Sequence, residues 1–186
     1  MNELAFIEPE IHKAATLSHC GKLRWSLRRW WRVDSRVCWV MLNPSTADAS
    51  ADDPTLKRCI HFSRAWGYGG LIVVNLYPFR SPSPADCRRW ADWESNGPDW
   101  HVRDVLMRNE AIVVEACQSS DLIVVAWGNQ PWAMACSEHM LEAIQENIDK
   151  PLHCLGITKN GSPKHPMARG KHRAPVDQQP VIWRNI

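Results

Sequence analysis

The 186-residue chain is 45% hydrophobic and carries 22 Lys+Arg against 20 Asp+Glu, a balance that excludes intrinsic disorder, a collagen-like fibre and a coiled coil. No apolar stretch approaches the roughly 18 residues of a membrane span. Residues 1–10 hold three glutamates and no signal-like apolar core, and the seven cysteines include no C-x-x-C pair, so the expectation is a cytoplasmic protein with free thiols and without a metal, another cofactor or a membrane partner.

Length predicts one domain over residues 1–186, with its core at about 22–166 and a basic C-terminal segment at 159–186. The first predicted element is a strand over 23–33. Leu23, Trp25, Leu27, Trp31 and Val33 share one parity, while Arg24, Ser26, Arg28, Trp30 and Arg32 share the other, which reads as an apolar face and a basic, Trp-bearing face. After a turn at Asp34-Ser35, the apolar run 37–42 reads as a buried central strand. Asp53 as cap and Pro54 at the first helical position start a helix that runs to about Trp66 and stops at the glycines 67, 69 and 70.

A second buried strand follows at 71–76, then a Pro/Ser-rich loop at 78–84 and helices at 85–93 and 100–119. A third strand at 122–127, a helix at 132–147 and a fourth strand at 152–157 complete the alternation. This order predicts an α/β protein: a three-layer α/β/α sandwich with a four-stranded, mostly parallel sheet and an N-terminal antiparallel edge strand. In such sheets ligands bind beyond the carboxyl ends of the strands. The residues there are Asn43-Pro44-Ser45-Thr46, Asn75, Gly128-Asn129-Gln130 and the stretch 158–166.

The strand that breaks into Asn43-Pro44-Ser45-Thr46, with Asp48 just beyond, offers an amide, two hydroxyls, a carboxylate and free backbone N–H groups. Such a loop can orient a water or hold an anion; it can also be a plain Asx/ST turn. Asp48 and Asp52, beside the capping Asp53, are candidate base or metal-contacting carboxylates, the metal being the less expected of the two. Asn75, an amide inside an apolar strand, can read the edge of a base or be satisfied by neighbouring backbone. His165, in the basic loop after the fourth strand, can donate to charge developing on a leaving group or be a bystander of the loop.

Half of the basic residues lie in two short segments, 22–36 and 159–173, which leaves the remainder of the chain net acidic. That asymmetry is read either as the mark of a polyanionic partner or as two solvated faces at helix and strand edges.

The motifs Asn43-Pro44-Ser45-Thr46-Ala47-Asp48, Asp53-Pro54-Thr55, Trp66-Gly67-Tyr68-Gly69-Gly70, Val73-Val74-Asn75-Leu76 and Gly161-Ser162-Pro163-Lys164-His165-Pro166, in this order, resemble a bacterial and phage family known only as a domain of unknown function. More distantly, the chain resembles the uracil-DNA glycosylase superfamily. Asn43-Pro44 is similar to the first-strand motif of its mismatch-specific members, Asn75 to the base-reading asparagine, Ala126-Trp127-Gly128 with Ala133 to the third-strand signature, and His165-Pro166 to the DNA-contacting loop. Met167-Ala168 departs from the second Ser-Pro of that loop, and Ser45 and Thr46 stand where an aromatic usually stacks on the base.

This second resemblance implies hydrolysis of the N-glycosidic bond of a damaged, mismatched or modified base flipped out of DNA. Asn43, Asp48 and His165 would be catalytic, with Asn75, Pro44, Ser45 and Thr46 at the base, and Lys159, Lys164, Arg169 and the Arg24, Arg28 and Arg32 face would hold phosphates. The alternatives are a nucleic-acid-binding module without catalysis and an enzyme acting on a free nucleotide or modified base; oligomeric state is open.

Overall fold

The computed structural model describes residues 9–95 and 100–185; most of the glutamate-bearing N-terminal stretch therefore lies outside the described residues. Among the described residues seven strands form one mixed sheet: β1 (His12–Leu17), β2 (Arg24–Trp30), β3 (Arg36–Met41), β4 (Gly70–Asn75), β5 (Leu122–Val125), β6 (Leu152–Cys154) and β7 (Val181–Arg184). Their spatial order is β1-β2-β4-β3-β5-β6-β7. The β4-β3-β5-β6 pairings are parallel, and the flanking pairings are antiparallel.

The α/β expectation holds at this level, and the strand count is corrected. Two short edge strands, β1 and β7, extend the sheet, so the basic strand β2 is an interior strand. Neither has a periodic buried face by which sequence could mark it: β1 is mostly exposed and polar or small, and β7 is a mostly exposed apolar run of only three residues before Arg184.

Helix α1 (Pro54–Ala65) covers one face, while α2 (Pro84–Ser95), α3 (Trp100–Gln118) and α4 (Met134–Asn147) gather on the other. Strand parity explains the division. Val37, Trp39 and Met41 of β3 pack with Leu71 and Val73 of β4 and with Leu56, Cys59 and Phe62 of α1. The alternate residues Cys38, Val40, Ile72 and Val74 pack with Val113 of α3 and with Leu141 and Ile144 of α4. A one-residue slip would exchange these faces, so burial on both sides specifies the register.

Helix α1 begins where predicted: the Asp53 side chain accepts from the Leu56 N–H at 2.8 Å, and Pro54 occupies the first turn. It ends at Gly67, whose φ of +85° suits a residue without Cβ. The Trp39 indole N–H crosses to Ser63 Oγ of this helix at 3.1 Å, satisfying a buried donor in an otherwise apolar layer. Residues 131–133 form a 3-10 turn, so α4 starts two residues later than expected.

Strand β2 departs from simple alternation in two places. Thr16 pairs with Ser26 and its neighbour Leu17 with Arg24, so Trp25 is an extra residue in the ladder, a β-bulge. Upstream of the bulge the parity reverses. Arg24 therefore faces the same side as Leu27, while Trp25 turns to the α3 side, where the Arg108 guanidinium lies 4.7 Å from its ring. Arg29, on the parity predicted to be apolar, is fully buried and paired with Asp52 at 2.7 Å.

Among the described residues no helix is long and apolar enough to cross a membrane. All seven cysteines are free thiols.

Candidate functional site

A cavity of about 290 Å³ opens at the carboxyl ends of the parallel strands. β3 contributes Met41 and the following Asn43, β4 contributes Asn75, the turn after β5 contributes Trp127 to Gln130, and the loop after β6 contributes His165. Arg24 enters from the start of β2, and Asp53 and Thr55 from the start of α1. Thus four sequence-predicted residues, Asn43, Ser45, Asn75 and His165, meet at one place, together with Arg24, whose expected place is the basic face of its strand.

The orientation of Asn43 is set by its own hydrogen bonds. Its Nδ2 donates to Pro44 O at 3.1 Å and to Ser81 O at 2.9 Å. Carbonyls cannot donate, so the amide can adopt only this orientation, and Oδ1 is left as an acceptor with no protein donor among the described residues. An acceptor at the end of a rigid strand can hold a water by one of its hydrogens.

Asn75 is 2% exposed, and its backbone carbonyl accepts from Asn109 Nδ2 of α3 at 2.9 Å. Its Oδ1 accepts from Arg24 Nη2 at 3.3 Å. A guanidinium is a donor only, so this contact also fixes the amide and leaves Nδ2 as the free group, a donor.

His165 accepts at Nδ1 from the Met167 backbone N–H at 3.0 Å. Burial pushes its pKa down to about 4, so at neutral pH the ring is uncharged and its proton sits on Nε2. The backbone at position 128, at the cavity wall, favours a glycine by its positive φ, with packing a secondary matter. Gly128 has φ +80°, and a Cβ there would lie 3.4 Å from the His165 Cβ.

Asp48 is not brought to this site. Its Oδ1 accepts from Ser50 N, Ser50 Oγ and Ala51 N at 2.8–3.0 Å, and these bonds lower its pKa to about 2. It ties a turn together and does not line the cavity. Asp52 is spent on Arg29. Asp53 both caps α1 and lines the cavity, a second position that its capping role had hidden. Pro44 is buried with its carbonyl accepting from Ser81 N–H, and Thr46 is exposed; neither lines the cavity.

The predicted phosphate contacts separate into two groups. Lys159, Lys164 and Arg169 line a groove of about 300 Å³ that shares Gly128, Asn129 and His165 with the cavity. Arg169 continues into a neighbouring groove with Lys57, Arg58 and Arg173. Arg28 and Arg32 lie at the other end of the sheet, in a groove bounded by Arg36 and Gly70 at the starts of β3 and β4. β2 runs antiparallel to β4, so eight residues at roughly 3.4 Å each carry the chain from the carboxyl end of the parallel strands to their amino end. Arg32 is also engaged there, with Asp34 at 3.1 Å and Gly67 O at 2.6 Å.

The inward arginines organise the strand-end loop. Arg24 Nη1 donates to Ala47 O at 2.9 Å, and Arg29 donates to Asp48 O at 2.5 Å and to Ala51 O at 3.3 Å. The segment that carries Asn43 is therefore stapled to β2 by guanidinium groups.

A family profile described as "Protein of unknown function (DUF1643)" matches residues 24–167. The chain belongs to this family. The matched span runs from Arg24 to just past His165 and includes every cavity-lining residue named above. No curated protein and no solved structure is a significant match to the chain.

Proposed function

We propose that this protein hydrolyses the N-glycosidic bond of a damaged, mismatched or modified base in nucleic acid, in the manner of the uracil-DNA glycosylases. The observation that carries the reading is the convergence of Asn43 Oδ1, Asn75 Nδ2 and the uncharged His165 on one cavity, whose mouth continues into the Lys159, Lys164 and Arg169 groove. A cavity of about 290 Å³ is at the small end of the range for small-molecule sites, roughly 300–1,000 Å³, and suits a single flipped base.

In this mechanism the glycosidic C–N bond breaks and its electron pair leaves with the base. A water held by Asn43 Oδ1 adds its oxygen to the sugar carbon, and the proton it sheds passes to solvent or to the departed base. His165 Nε2–H donates to a base oxygen as charge develops there, and Asn75 Nδ2 donates to the base edge. Asp53 adds negative charge to the same cavity, the sign that stabilises an oxocarbenium-like sugar. The Lys159, Lys164 and Arg169 groove holds the backbone phosphates.

One observation favours the non-catalytic alternative. The water-holding group is an amide, which cannot take a proton, and Asp48 is locked in its own turn. Labelled oligonucleotides carrying uracil, mismatched or hypermodified bases, treated with alkali after incubation, separate the two readings. A glycosylase leaves strand breaks, and Asn43→Ala reduces them by at least about a hundredfold while DNA affinity stays within a few-fold. DNA binding with no breaks on any substrate supports the binding module.

A further inference from the structure

Two arginines of β2 are buried, and the fold treats them differently. Arg29 is neutralised by Asp52 at 2.7 Å. Arg24 is 4% exposed and has no carboxylate within ion-pair distance among the described residues. Its partners are neutral: Ala47 O through Nη1 and Asn75 Oδ1 through Nη2, while Nε is buried without a partner. Arg80 and Arg29 add positive charge nearby, and Asp53 and Asp48 act on it only through space. Burial draws its pKa down to about 10, which leaves it charged at neutral pH. A buried charge with no carboxylate in contact is costly, and an anionic ligand in the cavity would complete the pair.

We infer that the cavity is an anion site in which Arg24, together with the Asn75 amide that it orients, is the counter-charge for an anionic, acceptor-rich group of the ligand. Arg24 lines the cavity, and its guanidinium bridges Ala47 and Asn75, two further residues of the wall. Because Arg24 takes Asn75 Oδ1, the amide turns donors toward the ligand, and His165 Nε2–H adds another. A neutral ring edge that presents an N–H to Asn75 meets donor with donor; an ionised ring nitrogen or a phosphate oxygen does not. That the anion is the base leaving with the glycosidic electron pair rests on the reading above; the anion site does not.

The test is binding, without any cleavage. Titration calorimetry at neutral pH compares nitrouracil, whose ring is acidic enough to be ionised, with neutral thymine and with inorganic phosphate. The variants are Arg24→Met and Asn75→Asp, the second of which is isosteric and supplies an internal carboxylate to Arg24. The wild type should bind the nitrouracil anion at least about tenfold more tightly than thymine, and both variants should bring the two ligands to within about threefold.

Phosphate bound in the same Arg24-dependent manner, without a preference among the rings, upholds the anion site and assigns the charge to a phosphate. An anion preference that survives in both variants, or a wild type that binds no anion more tightly than thymine, overturns the inference. Arg24-dependent binding of the base anion by a protein that leaves no abasic sites in DNA upholds the anion site and removes only the glycosylase reading.

Discussion

Replacing Asp52 with alanine removes the carboxylate from the most deeply buried charge in the fold. Arg29 is 0% exposed, its ion pair with Asp52 spans 2.7 Å, and the Asp52 side chain is 14% exposed. Truncating one partner of a buried pair costs roughly 3–5 kcal/mol, because the remaining charge stays buried and uncompensated. Lys13, 3.5 Å from Asp52 and largely at the surface, adds at most about 1 kcal/mol. Arg29 keeps its bonds to the carbonyls of Arg28, Asp48 and Ala51, which holds the loss to the lower end, about 3 kcal/mol.

For a chain of this length each kcal/mol moves Tm by roughly 2–4 °C, so Asp52→Ala should melt about 6–12 °C below the wild type. Circular dichroism in urea and on heating measures both quantities. The double variant Arg29→Met/Asp52→Leu removes the charge along with its partner but also the donor to the carbonyls of Arg28, Asp48 and Ala51, so it should recover part of the loss and not all of it. A loss below about 1 kcal/mol for Asp52→Ala would mean that backbone carbonyls alone carry the buried guanidinium, and the loop would not be held by an ion pair.

The low pKa of His165 sets a pH dependence. Its folded value, about 4, lies below the ordinary histidine value, so the unfolded chain binds the proton more readily. The stabilising contribution is complete above the unfolded pKa and is lost as pH falls toward 4. Imidazole NMR should show His165 uncharged throughout the range in which an exposed histidine titrates, and urea midpoints of His165→Ala should fall less steeply over that interval than those of the wild type. A His165 ring that titrates near the ordinary value refutes the burial argument.

The two basic regions make opposite predictions for DNA. Removing charge at Lys164 or Arg169 should lower the slope of log affinity against log salt by about 1 per residue, whereas Arg28→Gln should leave it unchanged. Equal effects at both ends of the sheet would show that the polyanion wraps the whole molecule.

Much of this architecture was legible in the chain. The apolar runs before Asn43, at Asn75 and before Gly128 are short, β-branched and bounded by polar breaks, which is enough to place buried strands with their functional residues at the ends. Asp53-Pro54 marks a helix start by local chemistry alone. The cavity's position follows from those strand ends and the parallel pairing of the four strands. Asp53 was harder, because a capping carboxylate has two oxygens and only the cap is visible in local sequence.

Tertiary structure decided which way the arginines face. Alternation along 23–33 predicts a basic outer face, but side-chain direction in a strand depends on its partners, and one extra residue in the ladder reverses it. The bulge at Trp25 is a property of the pairing between β1 and β2, and β1 itself has no pattern by which it could be recognised. That irregularity carries Arg24 into the cavity. Arg29 faces inward on the same parity as Leu27 and Trp31, and it is Asp52, 23 residues later, that returns to neutralise it there. Local patterns place the elements and the residues at their ends, whereas the direction of Arg24 depends on strand pairing and the neutralisation of Arg29 on a partner supplied by a distant part of the chain.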